Sequence, residues 1–402
     1  MLAWIITHAP DDAFMYLQLA KYHFLYLRTN GFQPLWAYII TSIGLFVHGT
    51  ALVYLDFGLY MVLILAIPFV VKKLYNTWWG FAAWLIPAIF IGNEMMELAI
   101  AIVLIFIAVK TKKGFWSALM VYARLDLIFL GILNTIPWKE WRNGRAWRQF
   151  IIMSLCLMPW AIFNIVVFHT IIPDSMMHDV GGSLGSVLNG NGFYWTYKVL
   201  DLYYIPVPLI AIGLVGCWKR YKILIAEFIF LCALDIIKNS AYAWHYTVIP
   251  VIMVLGYKEI WDWAVNQEGF NEFGQSVVFN IKQTAVKMKS LLIIPAFVLV
   301  AIIFLPIWGS ASNLDDFTYQ LYWYNSRTIV VDGTRGAFNA GIQGYFSPKL
   351  VTDTGGYFYH NVVMPDYFSD FSDFEPKGYS LVTDYGNQPT RFGTFGLYKK
   401  DN

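Results

Sequence analysis

The sequence predicts an all-α polytopic membrane bundle with interfacial and broken helices, followed by a small extracytoplasmic α/β domain. Of the 402 residues, 58% are hydrophobic and 13% are charged, whereas a soluble domain carries about 25% charged residues. Apolar runs of membrane-crossing length alternate with short polar breaks along residues 1–308. Residues 309–402 are acidic, aromatic and rich in turn residues, which marks them as a separate soluble domain.

Charge and cysteine usage exclude several classes of protein. The formal net charge is only +2, and the basic residues fall in short loops, so no nucleic-acid partner is predicted. Cys156, Cys217 and Cys232 stand in apolar surroundings without metal-ligand spacing. They are predicted to be small buried hydrophobic residues rather than disulfide or metal sites.

The first polar stretch predicts two short helices. The segment Asp12–Arg28 mixes apolar and polar residues in a pattern typical of a helix that lies in the membrane interface. Thr29, Asn30 and Gly31 end it. Pro34 suits the first turn of a second helix over residues 35–47, which is short enough to be re-entrant.

Longer apolar runs predict the membrane crossings. They are Ala51–Val71, Trp78–Ile91, Leu98–Val109, Phe150–Phe168, Leu202–Gly216, Ile223–Ile237, Trp244–Leu255 and Leu291–Trp308. Lysines follow the first and third of these runs, which makes those ends cytoplasmic under the positive-inside rule. The polar breaks at Asp11/Asp12 and Glu94/Glu97 then share the external side, as do the loop 169–201 and the C-terminal domain.

A charged pair lies in the middle of the apolar segment Phe115–Trp138. Basic residues flank both ends, which predicts an even number of crossings. We therefore expect two half-helices with Arg124 and Asp126 at an external apex, because charged breaks at membrane depth face protein or a cavity. A single full span is the alternative.

Several of these charged residues are candidates for chemistry. Asp11 and Asp12 point about 100° apart on a helix, so one can face a cavity while the other caps the helix; both can also be caps. Glu97 either forms an acid pair with them or complements its own helix dipole, and Glu94 is the alternative partner. Loop charge places all of these acids on one side.

Two cationic candidates have structural alternatives. Arg124 either neutralises Asp126 or binds a phosphate through its planar fork. His245 is either an anchor in an aromatic belt or a hydrogen-bond donor to a phosphate or leaving-group oxygen. The loop residues His169, His178 and Asp174 match no tight metal motif, and a divalent-metal requirement is left open. No other cofactor is predicted.

The C-terminal residues 326–354 predict one βαβ-like unit. A strand, a glycine-rich turn, a short helix and a second strand follow one another in SRTIVVDGTRGAFNAGIQGYFSPKLVTDT. The glycines do not form GxGxxG, so a structural role is favoured over nucleotide binding.

Six segments carry a resemblance to a known family. They are DDAFMYLQLAK followed by TNGFQPLW, then GNEMMELAI, YARLDLIFL, FHTIIPDSMMH and GAFNAGIQGYFSPKLVTDTGG. They resemble segments of the polyprenyl-phosphate-dependent glycosyltransferases of the GT-C fold, closest to mannosyltransferase-like membrane proteins related to protein O-mannosyltransferases and the aminoarabinose transferase of lipid A. That family has a full transmembrane helix before Asp-Asp, so we expect one upstream of Met1.

The resemblance implies an inverting sugar transfer. A first-loop aspartate, here Asp11 or Asp12 with a slight preference for Asp11, would deprotonate an acceptor hydroxyl on a glycan, lipid or protein. The donor would be a polyprenyl-phosphate-linked sugar drawn from the membrane lipid, and Glu97 falls on the family glutamate. Arg124 and His245 would stabilise charge on the leaving phosphate. The supporting residues are Asp126, Asn30, Gln33 and Trp36.

Two other functions fit parts of the same pattern. An intramembrane Arg124–Asp126 pair also suits a transporter or flippase of a lipid-linked saccharide, although the inverted repeats typical of such proteins are not visible. A non-catalytic membrane scaffold would work through its C-terminal domain. It would leave the external acids dispensable.

Overall fold

A computed structural model describes most of the helical part of this chain and the strands of its C-terminal part. The described residues are 11–22, 33–85, 96–138, 140–170, 207–238 and 247–266, and then 329, 331–332, 334–337, 343, 345, 347, 351–353, 365–371, 379–384 and 395–401. This part of the chain is mostly helical and ends in a small sheet.

The helices follow one another as short and long segments. They are α1 Asp11–Lys21, α2 Pro34–Gly44, α3 Thr50–Tyr75, α4 Met96–Thr111, α5 Gly114–Ala123, α6 Ile128–Thr135, α7 Arg148–Phe168, α8 Val207–Cys217, α9 Lys222–Lys238 and α10 Val248–Asn266. Single 3₁₀ segments lie at Trp79–Leu85, Leu125–Leu127 and Gly144–Trp147.

Two helices in the described residues are long and apolar enough to cross a membrane. They are α3 and the segment Gly144–Phe168, which contains α7. Only 11% of the most apolar window of the second is buried, and its outward residues include Ile151, Leu155 and Val166. A soluble helix would bury such a stripe against a core. These two helices indicate that the chain associates with a membrane.

The predicted helix positions are confirmed for much of the chain. Residues 51–71, 98–109 and 150–168 fall in α3, α4 and α7, and α2 covers the predicted segment 35–47 up to Gly44. Pro34 occupies the first turn of α2, and Asn76 ends α3 in the left-handed conformation after a basic last turn. Helix α10 runs beyond the predicted end at Leu255. The predicted span Leu291–Trp308 lies outside the described residues, as do residues 171–201 of the long loop and the first residues, 202–206, of the predicted run Leu202–Gly216.

The predicted crossing Trp78–Ile91 is wrong in its described part. Residues Trp79–Leu85 form a 3₁₀ segment instead of an α-helix. Aromatic packing within the segment explains the departure: Trp78 stacks on Phe81 at 5.7 Å, and Phe81 meets Trp84 edge to face at 4.9 Å. Residues 86–95, which include Glu94, lie outside the described residues.

The prediction that α1 lies in the membrane interface is also wrong. Every side chain from Phe14 to Ala20 is buried, so protein covers the helix on all sides. Helix α2 packs closely on one side, since a Cβ at Gly44 would lie 3.0 Å from the Cβ of Ala20. The sequence pattern alone did not show this, because a polar residue can be solvated by water or bonded within the protein.

The predicted broken hairpin is confirmed. Arg124 is extended between α5 and the 3₁₀ turn Leu125–Leu127, and α6 then returns along α5. The Asn134 side-chain amide donates to the Ser117 hydroxyl at 3.1 Å, and a Cβ at Gly131 would lie 3.0 Å from Val121. The hairpin therefore presents Arg124 and Asp126 at its apex.

The C-terminal strands form a mixed sheet in the order β2-β1-β3-β5-β4. Strand β1 (Arg335–Ala337) is parallel to β2 (Val351–Asp353) and β3 (Tyr367–Phe371), while β5 (Phe395–Lys400) is antiparallel to β3 and β4 (Tyr379–Asp384).

The predicted strand before the glycine-rich turn is misplaced, because β1 begins at Arg335, within the segment expected to turn. Buried hydrogen bonds place it there. The Arg335 guanidinium donates to Ser369 at 2.7 Å and to Gln343 at 2.8 Å, which requires β1 to lie beside β3 with this arginine turned inward.

Helices α8 and α10 approach each other through glycines. A Cβ at Gly216 would lie 2.1 Å from the Gly256 carbonyl oxygen, and one at Gly256 would lie 2.0 Å from the Gly213 carbonyl oxygen. Only backbone fits at these separations. Small residues that let helix backbones touch are the usual way for membrane helices to associate.

Replacing Gly216 with alanine should therefore destabilise this helix pair. The added methyl group clashes with backbone, so we expect a loss of about 1–3 kcal/mol in the free energy of unfolding. Denaturant titration in detergent micelles measures it. Gly58→Ala is the matched control, because a Cβ there meets nothing within 4 Å and should leave stability unchanged or slightly raised. Equal effects of the two substitutions would contradict the packing.

Candidate functional site

A buried network joins four segments that are far apart in the sequence. On α1, the Tyr16 hydroxyl donates to Glu97 Oε1 on α4 at 3.4 Å and accepts from the backbone N–H of Gln33 at 2.9 Å. The Gln33 side-chain oxygen in turn accepts from the backbone N–H of Leu125 at 2.8 Å. One phenol and one amide thereby tie α1, the start of α2, the first turn of α4 and the hairpin apex together.

The Arg124 guanidinium lies at the centre of this network. Its Nε and Nη2 donate to the two oxygens of Asp126 at 3.1 and 2.6 Å, a bidentate arrangement that is among the strongest available to a side chain. Its Nη1 lies 4.0 Å from Glu97 Oε1. Arg124 is 2% exposed and Glu97 is fully buried, so little water screens these charges.

The structure adds a carboxylate that the sequence reasoning missed. Asp56 on α3 is 1% exposed, and its Oδ1 accepts from the indole N–H of Trp36 at 3.1 Å. It is close enough to Glu97 for their charges to repel. The signal was available, because Asp56 is the one charged residue in the run Ala51–Val71, and an ionisable group there is a candidate site by default.

A second missed acid approaches from α9. Glu227 is fully buried and interacts electrostatically with Asp126. Phe230, one turn further along α9, stacks on Phe129 of the hairpin with ring centroids 4.6 Å apart. This aromatic contact brings the Glu227 face of α9 against the arginine apex. Its signal was again an acid within an apolar helix, Lys222–Lys238, which carries Glu227 and Asp235.

The predicted acids at the chain start occupy the first turn of α1. Residue 12 precedes Tyr16 by four positions, and such residues share one face of a helix. Asp11 and Asp12 are described by their backbone only. The first turn of α1 therefore lies next to the Tyr16–Glu97 contact.

The other predicted site residues separate into those that the structure brings together and those that it does not describe. Glu97, Arg124, Asp126 and Gln33 meet in one network, and Trp36 joins it through Asp56. Asn30, His245, Asp174 and His178 lie outside the described residues. Among the residues that are described, no group of three histidine, cysteine or acidic side chains is placed to hold a metal ion.

The C-terminal domain contacts the same helix from the other side. The Lys21 ammonium donates to the carbonyl oxygens of Tyr345 at 2.9 Å and Ser347 at 2.7 Å, and the Gln18 amide donates to the Val351 carbonyl oxygen at 3.2 Å. The Tyr345 ring lies 6.2 Å from that of Phe14. Helix α1 is therefore packed between the sheet domain and the arginine network.

This arrangement sets two acids against one buried cation and two further acids behind them. Glu97 and Asp126 lie against Arg124, Asp56 interacts with Glu97 and Glu227 interacts with Asp126, in a region where charges interact strongly. Such a cluster can hold a carboxylate in a partly desolvated state and can balance charge that develops on a bound group. No protein-family model, curated protein or solved structure matches this chain.

Replacing Arg124 with methionine should strongly destabilise the protein. The substitution leaves the buried carboxylates without their counter-charge, which typically costs about 3–5 kcal/mol. The measurement is the free energy of unfolding in detergent micelles. The control is Arg220→Met, because the Arg220–Glu259 pair is also an arginine–glutamate contact but the Arg220 side chain is 62% exposed. We expect that control to cost at most about 1 kcal/mol, and similar losses for both would count against a central role for Arg124.

Proposed function

We propose that this chain is an integral-membrane glycosyltransferase of the GT-C type. It moves a sugar from a polyprenyl-phosphate-sugar donor to an acceptor hydroxyl on the extracytoplasmic side, with inversion at the anomeric carbon. One observation carries the proposal. Four of the segments that resemble the family, DDAFMYLQLAK, TNGFQPLW, GNEMMELAI and YARLDLIFL, meet at the Tyr16–Glu97–Arg124–Gln33 network.

A donor with a polyprenyl tail accounts for the apolar part of the chain. The two candidate membrane helices, α3 and the one containing α7, belong in this proposal to a polytopic bundle that also contains the shorter apolar helices. The lipid tail stays in the bilayer throughout the reaction, so the site must lie at the edge of the bilayer. The α5–α6 hairpin supports this part of the proposal, because its apex is polar and its two arms are apolar.

The base in this mechanism is Asp11 or Asp12. The carboxylate accepts the proton of the acceptor hydroxyl, and the hydroxyl oxygen attacks the anomeric carbon. The bond between that carbon and the phosphate oxygen breaks, and polyprenyl phosphate leaves with the bonding electrons. A carboxylate beside a buried acid cluster is a stronger base than one in water, which suits α1 beside Glu97.

Arg124 and His245 are assigned to the departing phosphate. Arg124 directs its fork at Asp126 in this structure, and a phosphate offers the same paired oxygen acceptors as that carboxylate. Asp126 is 15% exposed while Arg124 is 2% exposed. Exchange of one acceptor for the other would therefore occur from the Asp126 side of the guanidinium.

A transporter of lipid-linked saccharide is the second candidate, and the buried Arg124–Asp126 pair is the observation that favours it. A transporter carries its ligand across without breaking the bond between sugar and phosphate. A scaffold neither carries the ligand across nor breaks that bond. Release of labelled sugar from polyprenyl phosphate in membranes that contain the protein separates the transferase from both.

The double substitution Asp11→Asn and Asp12→Asn should abolish transfer. Asparagine keeps the size of aspartate and can still cap a helix, but it accepts no proton at the pH of the assay. We expect a loss of at least about 100-fold in the rate of sugar transfer, measured with a radiolabelled polyprenyl-phosphate sugar and membrane acceptors.

The control for this test is Asp332→Asn, an identical change at an exposed position of the C-terminal domain. It should leave the transfer rate unchanged. Sugar transfer at the wild-type rate by the double variant would refute the assignment of the base. Translocation of the intact donor, with no sugar released, would instead favour the transporter.

A further inference from the structure

Two faces of α1 make different contacts. One meets the C-terminal domain, and the other meets the arginine network. Phe14, Gln18 and Lys21 follow the spacing i, i+4, i+7 and meet the C-terminal domain. Tyr16 projects from a different face and reaches Glu97. Residue 12 lies on that second face, one turn before Tyr16. Any shift of α1 relative to the C-terminal domain would therefore move the acid-bearing turn relative to the arginine network.

We propose that Lys21 and Gln18 are positioning residues, which hold the C-terminal domain against α1 and thereby fix the Asp11/Asp12 turn beside Glu97 and Arg124. The catalytic part of this inference rests on the proposed glycosyltransferase function. The mechanical part, a helix held in place by the domain packed on it, stands on the contacts alone.

The geometry of the contact supports this positioning role. We call the hydrogen bonds from Lys21 and Gln18 to the three carbonyl oxygens of the C-terminal domain the clamp. The Tyr345, Ser347 and Val351 carbonyl oxygens belong to one short segment, and all three accept from side chains of α1. An ammonium group carries three donors, so Lys21 can join two carbonyls of that segment at once. The Tyr345 hydroxyl also donates to the Gly49 carbonyl oxygen, just before α3, at 2.7 Å. The same segment therefore bonds both to α1 and to the residue that precedes α3.

Burial of Lys21 makes the stability of the folded state depend on pH in the alkaline range. Desolvation lowers the pKa of Lys21 from 10.5 to about 8. The titratable groups that face it are Tyr22, whose ring lies 5.1 Å from the ammonium, and Tyr345, whose pKa is raised by burial. Between pH 8 and 10.5 the unfolded state binds more protons than the folded state, so stability rises with pH across that window. The neutral amine keeps two N–H donors for its two carbonyls.

The test is hydrogen–deuterium exchange of the full chain in micelles, measured by mass spectrometry on peptides from α1. Lys21→Met removes the donors and should raise amide exchange in α1 roughly tenfold, while peptides from α7 stay unchanged. Lys399→Met is the matched control, since Lys399 is exposed on β5 of the same domain, and it should leave α1 protection as it is. Lys21→Arg keeps the donors and should retain most of the protection.

The pH dependence tests whether Lys21 itself, buried at this contact, controls the protection of α1. Protection factors of α1 in the wild type should increase between pH 8 and pH 10.5, and Lys21→Arg should abolish that increase because arginine stays charged. If Lys21→Met does not fold, Gln18→Met tests the same contact through the single bond to Val351. Unchanged α1 exchange in the methionine variants, or an unchanged pH response in Lys21→Arg, would overturn the proposal.

The kinetic arm uses a radiolabelled polyprenyl-phosphate mannose as probe. Lys21→Met should lower kcat by roughly tenfold with little change in the KM for this lipid donor, because the base is displaced while the donor site is kept. A change in KM alone would overturn the positioning role. Should the wild type transfer no sugar, the proposed function fails, yet the exchange experiment still decides whether the clamp exists.

Discussion

The arrangement around the site depends on one buried guanidinium. Arg124 is 2% exposed in apolar surroundings, where an uncompensated charge would cost several kcal/mol. Two carboxylates offset that cost. Asp126 lies two residues along the same hairpin, and Glu97 lies on a separate helix. Because Glu97 and Asp126 are also costly to bury alone, each stabilises the position of the others. Folding the hairpin and seating α4 are thereby linked.

The hydrogen bonds around this pair explain why α1 and α2 join it. Tyr16 and Gln33 have no charge, yet each bridges two elements. The Tyr16 hydroxyl both donates and accepts, while Gln33 donates through its backbone N–H and accepts through its side-chain oxygen. Buried polar networks of this kind have little tolerance for displacement, because a lost partner leaves a desolvated group behind. A geometrically defined site follows, in which the first turn of α1 is held next to a charged centre. Such rigidity is what acid–base chemistry requires of its scaffold.

The C-terminal sheet domain contributes to the site through its contacts with α1 and the start of α3. Its segment around Tyr345 covers α1 and reaches the start of α3 through main-chain and side-chain hydrogen bonds. Helix α1 is only 11 residues long, a length at which an isolated helix is marginal in water. Packing from both sides therefore decides whether it forms and where it points. In the proposed reaction, this makes the C-terminal domain a determinant of where the base lies.

The sequence by itself determined where most helices lie and that Phe115–Trp138 folds back on itself at Arg124. Apolar length, basic flanks and a charged break are local signals, and they suffice for these features. Loop charge also predicted that Glu97 and Arg124 share one side of the membrane, and the structure brings the two within 4.0 Å.

Only the tertiary structure decided what surrounds each polar group. The mixed polar and apolar residues of α1 suggested a helix in the membrane interface, but Gln18 and Lys21 bond to backbone that lies more than 300 positions later in the chain. Asp56 and Glu227 became part of the site only when their helices packed so that Asp56 interacts with Glu97 and Glu227 with Asp126. Trp78–Ile91 has the composition of a span, yet its aromatic rings pack into a 3₁₀ segment. The residue type sets the free-energy cost of burying a polar group. Tertiary packing decides whether a hydrogen-bond or ionic partner offsets that cost.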